Sequence, residues 1–130
     1  GNNMRLPVTG IGVGRAKDAQ RALVHGLTEQ TLAYIGVDVA VRDEDVAVFD
    51  DYVGPGYSLP TPAMIEAVLM LARTESILLD PVYSGKAMSG LIDLARKDYF
   101  PKGANVLFLH TGGSPALFAY LDTFRNDPKF

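Results

Sequence analysis

Apolar positions follow two rhythms along this chain. Short unbroken runs mark buried strands, and longer stretches stepping by three and four mark amphipathic helices. The first run, Leu6 to Ile11, ends in glycines and predicts a strand. Arg15 to Ile35 then reads as a helix, with Ala19, Leu23, Val24, Leu27, Thr31, Tyr34 and Ile35 on one stripe and Gly36 as its stop. Val46 and Val48 alternate within Asp43–Asp51 and predict a short extended stretch. Thr61-Pro62 predicts a capped helix start, followed by a stripe of Ile65, Val68, Leu69 and Ala72. Ile77-Leu78-Leu79 is a short buried strand on this reading. Met88, Leu91, Ile92 and Ala95 mark another helix, Val106 to Leu109 the clearest strand, and Ser114-Pro115 a final helix running to about Tyr120.

Strands alternating with helices predict an α/β fold, a parallel or mostly parallel sheet with helices on both faces. No repeat, low-complexity stretch or linker divides the 130 residues, so they read as a single α/β piece. Gly1-Asn2-Asn3 ahead of Met4 reads as an appended remnant rather than part of the fold. In such sheets ligands bind beyond the carboxyl ends of the strands. Two loops leave predicted strands there, Asp80–Gly85 and His110–Ser114. A third, Gly54–Tyr57, precedes a helix. Their convergence would bring together two tyrosines, several hydroxyls and several backbone N–H groups.

Composition narrows the chemistry. Hydrophobic residues make up 48% of the chain and charged residues 21%, which excludes disorder. A net charge of −3 gives no reason to expect nucleic acid or an anionic membrane as partner. There is no cysteine, hence no thiolate metal site, and two histidines leave little for a histidine-rich one. No apolar run approaches the roughly 18 residues of a membrane span, and no signal-peptide pattern is present. These features point to the cytoplasm. The chain is apolar for a free-standing domain, and it opens on a strand. A part of a larger protein would look like this, and so would an obligate oligomer.

Individual motifs each carry a bland reading and a sharper one. Gly10-Ile-Gly-Val-Gly14 lacks the third glycine of a dinucleotide fingerprint, since Arg15 stands there, and reads as a tight turn. Gly112-Gly113-Ser114 before a helix is either an anion cradle or a plain capped turn. Tyr57 and Tyr83 sit in Pro/Gly-rich loops rather than on a helix stripe. In a water-poor pocket such phenols act as acids or bases. Lys86, on the first turn of an amphipathic helix, is expected to face water. His110 reads as a packing histidine, His25 as a surface residue and Asp80 as a brace for its loop. Residue chemistry alone reaches a small-molecule crevice and does not name a reaction.

Three segments carry a resemblance: Asp51-Tyr-Val-Gly-Pro-Gly-Tyr-Ser-Leu-Pro-Thr61, Leu79-Asp-Pro-Val-Tyr-Ser-Gly-Lys-Ala-Met88, and Val106-Leu-Phe-Leu-His-Thr-Gly-Gly-Ser-Pro-Ala-Leu117. Together, and in this order, they resemble the D-cysteine desulfhydrase / 1-aminocyclopropane-1-carboxylate (ACC) deaminase family. Its members are pyridoxal phosphate (PLP) enzymes of the tryptophan-synthase-β fold type. The likeness runs from about Leu6 to Tyr120 and covers only the C-terminal part of a member.

The resemblance implies that an N-terminal part carries the lysine that bonds the cofactor and the loop that holds its phosphate. This chain alone would then neither bond PLP nor turn over substrate. It would self-associate through surfaces that the remainder covers. The resemblance also implies that Tyr57 and Tyr83 are catalytic, facing an amino-acid substrate, and that Ser84, Thr111 and Gly112 border the cofactor. ACC deaminases resemble Tyr-Glu-Gly-Lys and His-Leu-Gly-Gly at two of these points. Ser84 and Thr111 match the desulfhydrase pattern instead. The implied reaction is α,β-elimination of D-cysteine to pyruvate, ammonia and sulfide. The alternatives are ACC deaminase or a related D-amino-acid lyase, and a non-catalytic α/β remnant or partner-binding domain.

Overall fold

The computed structural model describes residues 6–126, so Gly1-Asn2-Asn3, read above as an appended remnant, lies outside the described residues. Strand β1 (Thr9–Ile11) and strand β2 (Ala47–Phe49) pair in parallel, with Thr9 opposite Ala47, Gly10 opposite Val48 and Ile11 opposite Phe49. The Gly12 N–H extends the ladder to the Phe49 carbonyl at 2.7 Å. Helix α1 (Lys17–Tyr34) forms the crossover that a parallel pair requires. This is the α/β arrangement expected from the pattern.

Local chemistry sets the helix ends. Ala16 offers α1 no side-chain cap, but Asp50, just past β2, accepts from the Lys17 N–H at 2.7 Å and sets negative charge against the helix start. Gly36, at φ 71°, ends α1 as expected, with Val37 N–H reaching the Leu32 carbonyl at 2.9 Å. Helix α2 (Pro62–Glu75) starts where predicted. The Thr61 hydroxyl accepts from the Met64 N–H at 3.1 Å, and Pro62 occupies the first turn. Helix α3 spans Ser84–Arg96. A 3-10 turn over Ser114–Tyr120 leads into the short helix α4 (Leu121–Arg125), where a continuous helix to Tyr120 was expected.

The core lies between α2 and α3. Met64, Ala67, Val68, Leu79 and Met88 form one buried cluster. Gly85 permits the close approach: a Cβ there would sit 2.6 Å from the Asp80 carbonyl oxygen and 2.8 Å from a Val68 methyl. Gly90 does the same against β1, where a Cβ would lie 2.9 Å from the Ile11 side chain.

Two predicted strands are not strands here. Residues 77–79 and 104–109 form no strand ladder with any described residue. Leu78 and Leu109 are exposed, and Leu107 is 91% exposed. The stripe of α1 is similarly bare, with Leu23, Leu27 and Tyr34 exposed and no α1 residue buried. Apolar runs specify burial, but a strand also needs a neighbour to supply its ladder. No helix among the described residues is long and apolar enough to cross a membrane.

Candidate active site

The segment from Asp80 to Lys86 organises the site. Asp80 is fully buried, and its carboxylate accepts four hydrogen bonds. Oδ2 takes the N–H groups of Val82 at 2.8 Å and Tyr83 at 2.7 Å. Oδ1 takes the Ser84 N–H at 2.7 Å and the Ser84 hydroxyl at 2.6 Å. Burial pushes the Asp80 carboxyl up, but the bonds from the Ser84 hydroxyl and the backbone of Tyr83, Ser84 and Val82 outweigh it and hold the pKa below the usual range. The result is a rigid turn into α3 with Tyr83 on its outer side.

Tyr83 meets Tyr57 there. The two hydroxyls are hydrogen-bonded to each other, and the rings stand edge-on, with centroids 6.0 Å apart and planes at 62°. Both rings are about half exposed. The bond to Tyr57, with Tyr57's own charge, holds the Tyr83 proton on and raises its pKa. One hydroxyl of such a pair donates to the other, so the acceptor keeps its own proton for a third group. The phenols border an open cleft of about 880 Å³ whose wall includes Gly10, Gly12, Gly14 and Arg15. A Cβ on Gly14 would press against the Tyr57 ring at 3.2 Å.

Lys86 departs from expectation. It does not face water: it is 0% exposed, and its ammonium donates to the carbonyls of Val53 at 2.7 Å and Gly56 at 2.8 Å. The sequence held one signal for this. Ser89 and Gly90, three and four residues on, are small and buried, so that face of α3 turns inward.

The third loop closes on the same turn. His110 is exposed and ends no paired strand. Its Nδ1 accepts from the Gly112 N–H at 3.0 Å, which leaves Nε2 as donor to the Leu78 carbonyl at 3.0 Å, a packing role. The Ser114 hydroxyl donates to the same carbonyl at 2.7 Å. Gly113, at φ 90°, lies over Asp80 so closely that a Cβ would come within 2.9 Å of the carboxylate carbon. Tyr120 donates to the Ser58 carbonyl at 2.9 Å and ties the 3-10 turn over Ser114–Tyr120 to the tyrosine loop. All three loops singled out in the sequence therefore converge.

The remaining sequence-assigned residues sit as follows. Ser84 is buried with its hydroxyl committed to Asp80. Thr111 is exposed and makes no hydrogen bond among the described residues. Gly112 lies beside it at φ 92°, its N–H engaged by His110.

Residues 6–112 match the family described as "Pyridoxal-phosphate dependent enzyme". This chain belongs to that family. Curated relatives of these PLP-dependent enzymes include the ACC deaminases of Bradyrhizobium sp. (strain ORS 278) and Rhizobium radiobacter. Each is 40% identical over 119 residues, which is 92% of this chain and 35% of the relative. A solved structure described as an ACC deaminase homologue superposes with a TM-score of 0.76 at 36% identity, covering 90% of this chain and 34% of that one. The chain thus spans about a third of the length of the relatives it matches.

The residues present fit one border of a PLP site. Two phenols with a proton to give stand at an open, glycine-walled cleft, and the glycine loop at 112–113 closes on Asp80 beneath Tyr83. Among the described residues the only lysine wholly withdrawn from solvent, Lys86, is engaged with two carbonyls and does not point a free amine into that cleft.

Proposed function

We propose that this chain forms the substrate-side wall of a PLP-dependent enzyme that deaminates a small amino acid. The rest of the protein would supply the lysine bonded to the cofactor, so the 130 residues alone are inactive. The observation that carries the reading is the meeting of the Tyr57 and Tyr83 hydroxyls at the mouth of the cleft. PLP, when bound, supplies an electron sink that stabilises negative charge at the substrate Cα.

The chain's own part is proton management and orientation. With Tyr83 as the donor, the arrangement its raised pKa favours, the Tyr57 O–H is free to face the substrate. When Tyr57 gives up that proton, the Tyr83 O–H stays bonded to the phenolate and stabilises it. Asp80 fixes the backbone under Tyr83, so the pair needs little rearrangement.

Two substrates are supported by different observations. The relatives' names favour ACC, whose deamination yields 2-oxobutyrate and ammonia. Ser84 and Thr111 favour D-cysteine, which yields pyruvate, ammonia and sulfide. A carboxylate at position 84 would keep the pyridine nitrogen protonated and strengthen the sink that opening a cyclopropane demands, whereas the Ser84 hydroxyl, held by Asp80, brings no charge there and leaves it weaker. The test is to load the complete protein with PLP and offer each substrate in turn. 2-Oxobutyrate from ACC supports the first substrate, and pyruvate with sulfide from D-cysteine supports the second. Thr111→Leu, which leaves the Asp80–Ser84 bonds intact, should weaken sulfide release. Neither product from either substrate overturns the reading.

A further inference from the structure

An ammonium in a protein interior is costly unless something compensates it. Among the described residues Lys86 forms no ion pair, and burial moves its pKa downward. What faces it is backbone. The carbonyls of Val53 and Gly56 both turn inward and take its protons at 2.7 and 2.8 Å. The intervening loop permits this because Gly54 sits at φ 68°, with the Thr61 methyl only 2.3 Å from where a Cβ would be. The Gly56 carbonyl belongs to the peptide that leads into Tyr57, so fixing that carbonyl fixes the plane from which the Tyr57 side chain springs. Three residues before Lys86, on the same turn, the Tyr83 N–H is held by Asp80. One stretch of seven residues thus grips the backbone under both phenols, the near one through Asp80 and the distant one through Lys86.

We propose that Lys86 is a positioning residue for Tyr57, holding the 53–57 loop so that the Tyr57 hydroxyl reaches that of Tyr83. It touches neither substrate nor cofactor. Its importance to turnover rests on the functional reading above, but its effect on the phenol pair does not. The geometry of the pair is therefore read directly, by NMR titration of the protein labelled with 13C at tyrosine Cζ, alongside turnover of the complete PLP-loaded protein. In Lys86→Met the Tyr83 resonance should titrate at lower pH than in wild type, because its partner is withdrawn. The amide signals of Met64, Val68 and Leu79 should stay in place. Lys86→Arg should restore the raised titration.

In turnover, Lys86→Met should lower kcat about 10- to 100-fold, and Tyr57→Phe on that background should add little further loss. A folded Lys86→Met with unchanged Tyr83 titration overturns the proposal. Lys86→Gln repeats the test if the Met variant loses its core signals. Loss of the core in both variants makes Lys86 a residue of general stability and also overturns it. A shifted Tyr83 titration in a protein inactive on both substrates would sustain the positioning role and refute only the proposed function.

Discussion

Replacing Asp80 with asparagine probes the turn on which the site is built. The carboxylate offers two acceptor oxygens, each taking two donors; three of the four contacts are buried and that from the Tyr83 N–H is part-buried. Asparagine offers one oxygen and one NH2 group. If the oxygen keeps Val82 and Tyr83, the NH2 faces the Ser84 N–H and hydroxyl. The hydroxyl can rotate to accept, but the Ser84 N–H cannot. The opposite orientation sets the NH2 against two N–H groups and is worse. The favoured orientation therefore leaves at least one buried donor, the Ser84 N–H, unsatisfied, at about 1–3 kcal/mol, and turns two charge-assisted bonds into neutral ones at roughly 0.5–1 kcal/mol each. The expected total is about 3 kcal/mol.

Urea unfolding, followed by circular dichroism, measures this loss. With an m-value of about 2 kcal/mol per molar, the midpoint of Asp80→Asn should fall by about 1.5 M. The pH dependence supplies a second constraint. The Asp80 pKa is lowered on folding, so its contribution is fully present above the ordinary aspartate value near 4 and is lost as pH falls through the lower folded value. The gap between wild type and variant should thus be widest near neutrality and close in acid. A midpoint within about 0.3 M of wild type at pH 7, or a gap that does not shrink in acid, would refute the account of Asp80 as the clamp.

Gly85→Ala should cost at least about 3 kcal/mol in thermal or urea unfolding, because its Cβ would meet the Asp80 carbonyl at 2.6 Å, backbone that cannot swing aside. Thr61→Ala should cost about 1 kcal/mol through loss of the α2 cap, and Thr61→Ser should recover most of it. Tyr52 is pushed up to about 12 by burial and by its bond to Asp93, so ultraviolet titration should show a tyrosine step near that pH that vanishes in Tyr52→Phe. Its stabilising effect holds below pH 10 and is lost as pH rises through the folded value, so Tyr52→Phe should flatten the alkaline limb of stability. In the complete PLP-loaded protein, Tyr57→Phe should lower kcat about 100-fold with a smaller change in KM; equal activity would remove Tyr57 from proton transfer.

What the sequence made legible is what neighbours in sequence decide. Thr61-Pro62 starts a helix and Gly36 ends one because capping involves only a few adjacent residues. The three loops were recognisable as strings, and Asp80 as a brace, because its partners lie within four residues. The failures share the opposite property. The runs at 77–79 and 106–109 have a strand's apolar signature, yet pairing is a relation to another segment, and no described segment forms a ladder with them: the Leu78 carbonyl is taken by the His110 and Ser114 side chains instead. The stripe of α1 fails for the same reason.

Lys86 shows how such a long-range relation enters a short string. A lysine on a first helical turn reads as solvent-facing, because a charge in the interior is rarely tolerated. What reverses that reading is a pair of carbonyls 30 and 33 residues away. The position of Tyr83 is therefore encoded locally, in the turn from Asp80. That of Tyr57 is encoded twice, in its own glycine-rich loop and in the lysine that gathers it. A substitution in the 80–86 turn should then disturb a phenol more than twenty residues away, while changes within the 53–56 loop that preserve both inward carbonyls should leave the pair intact.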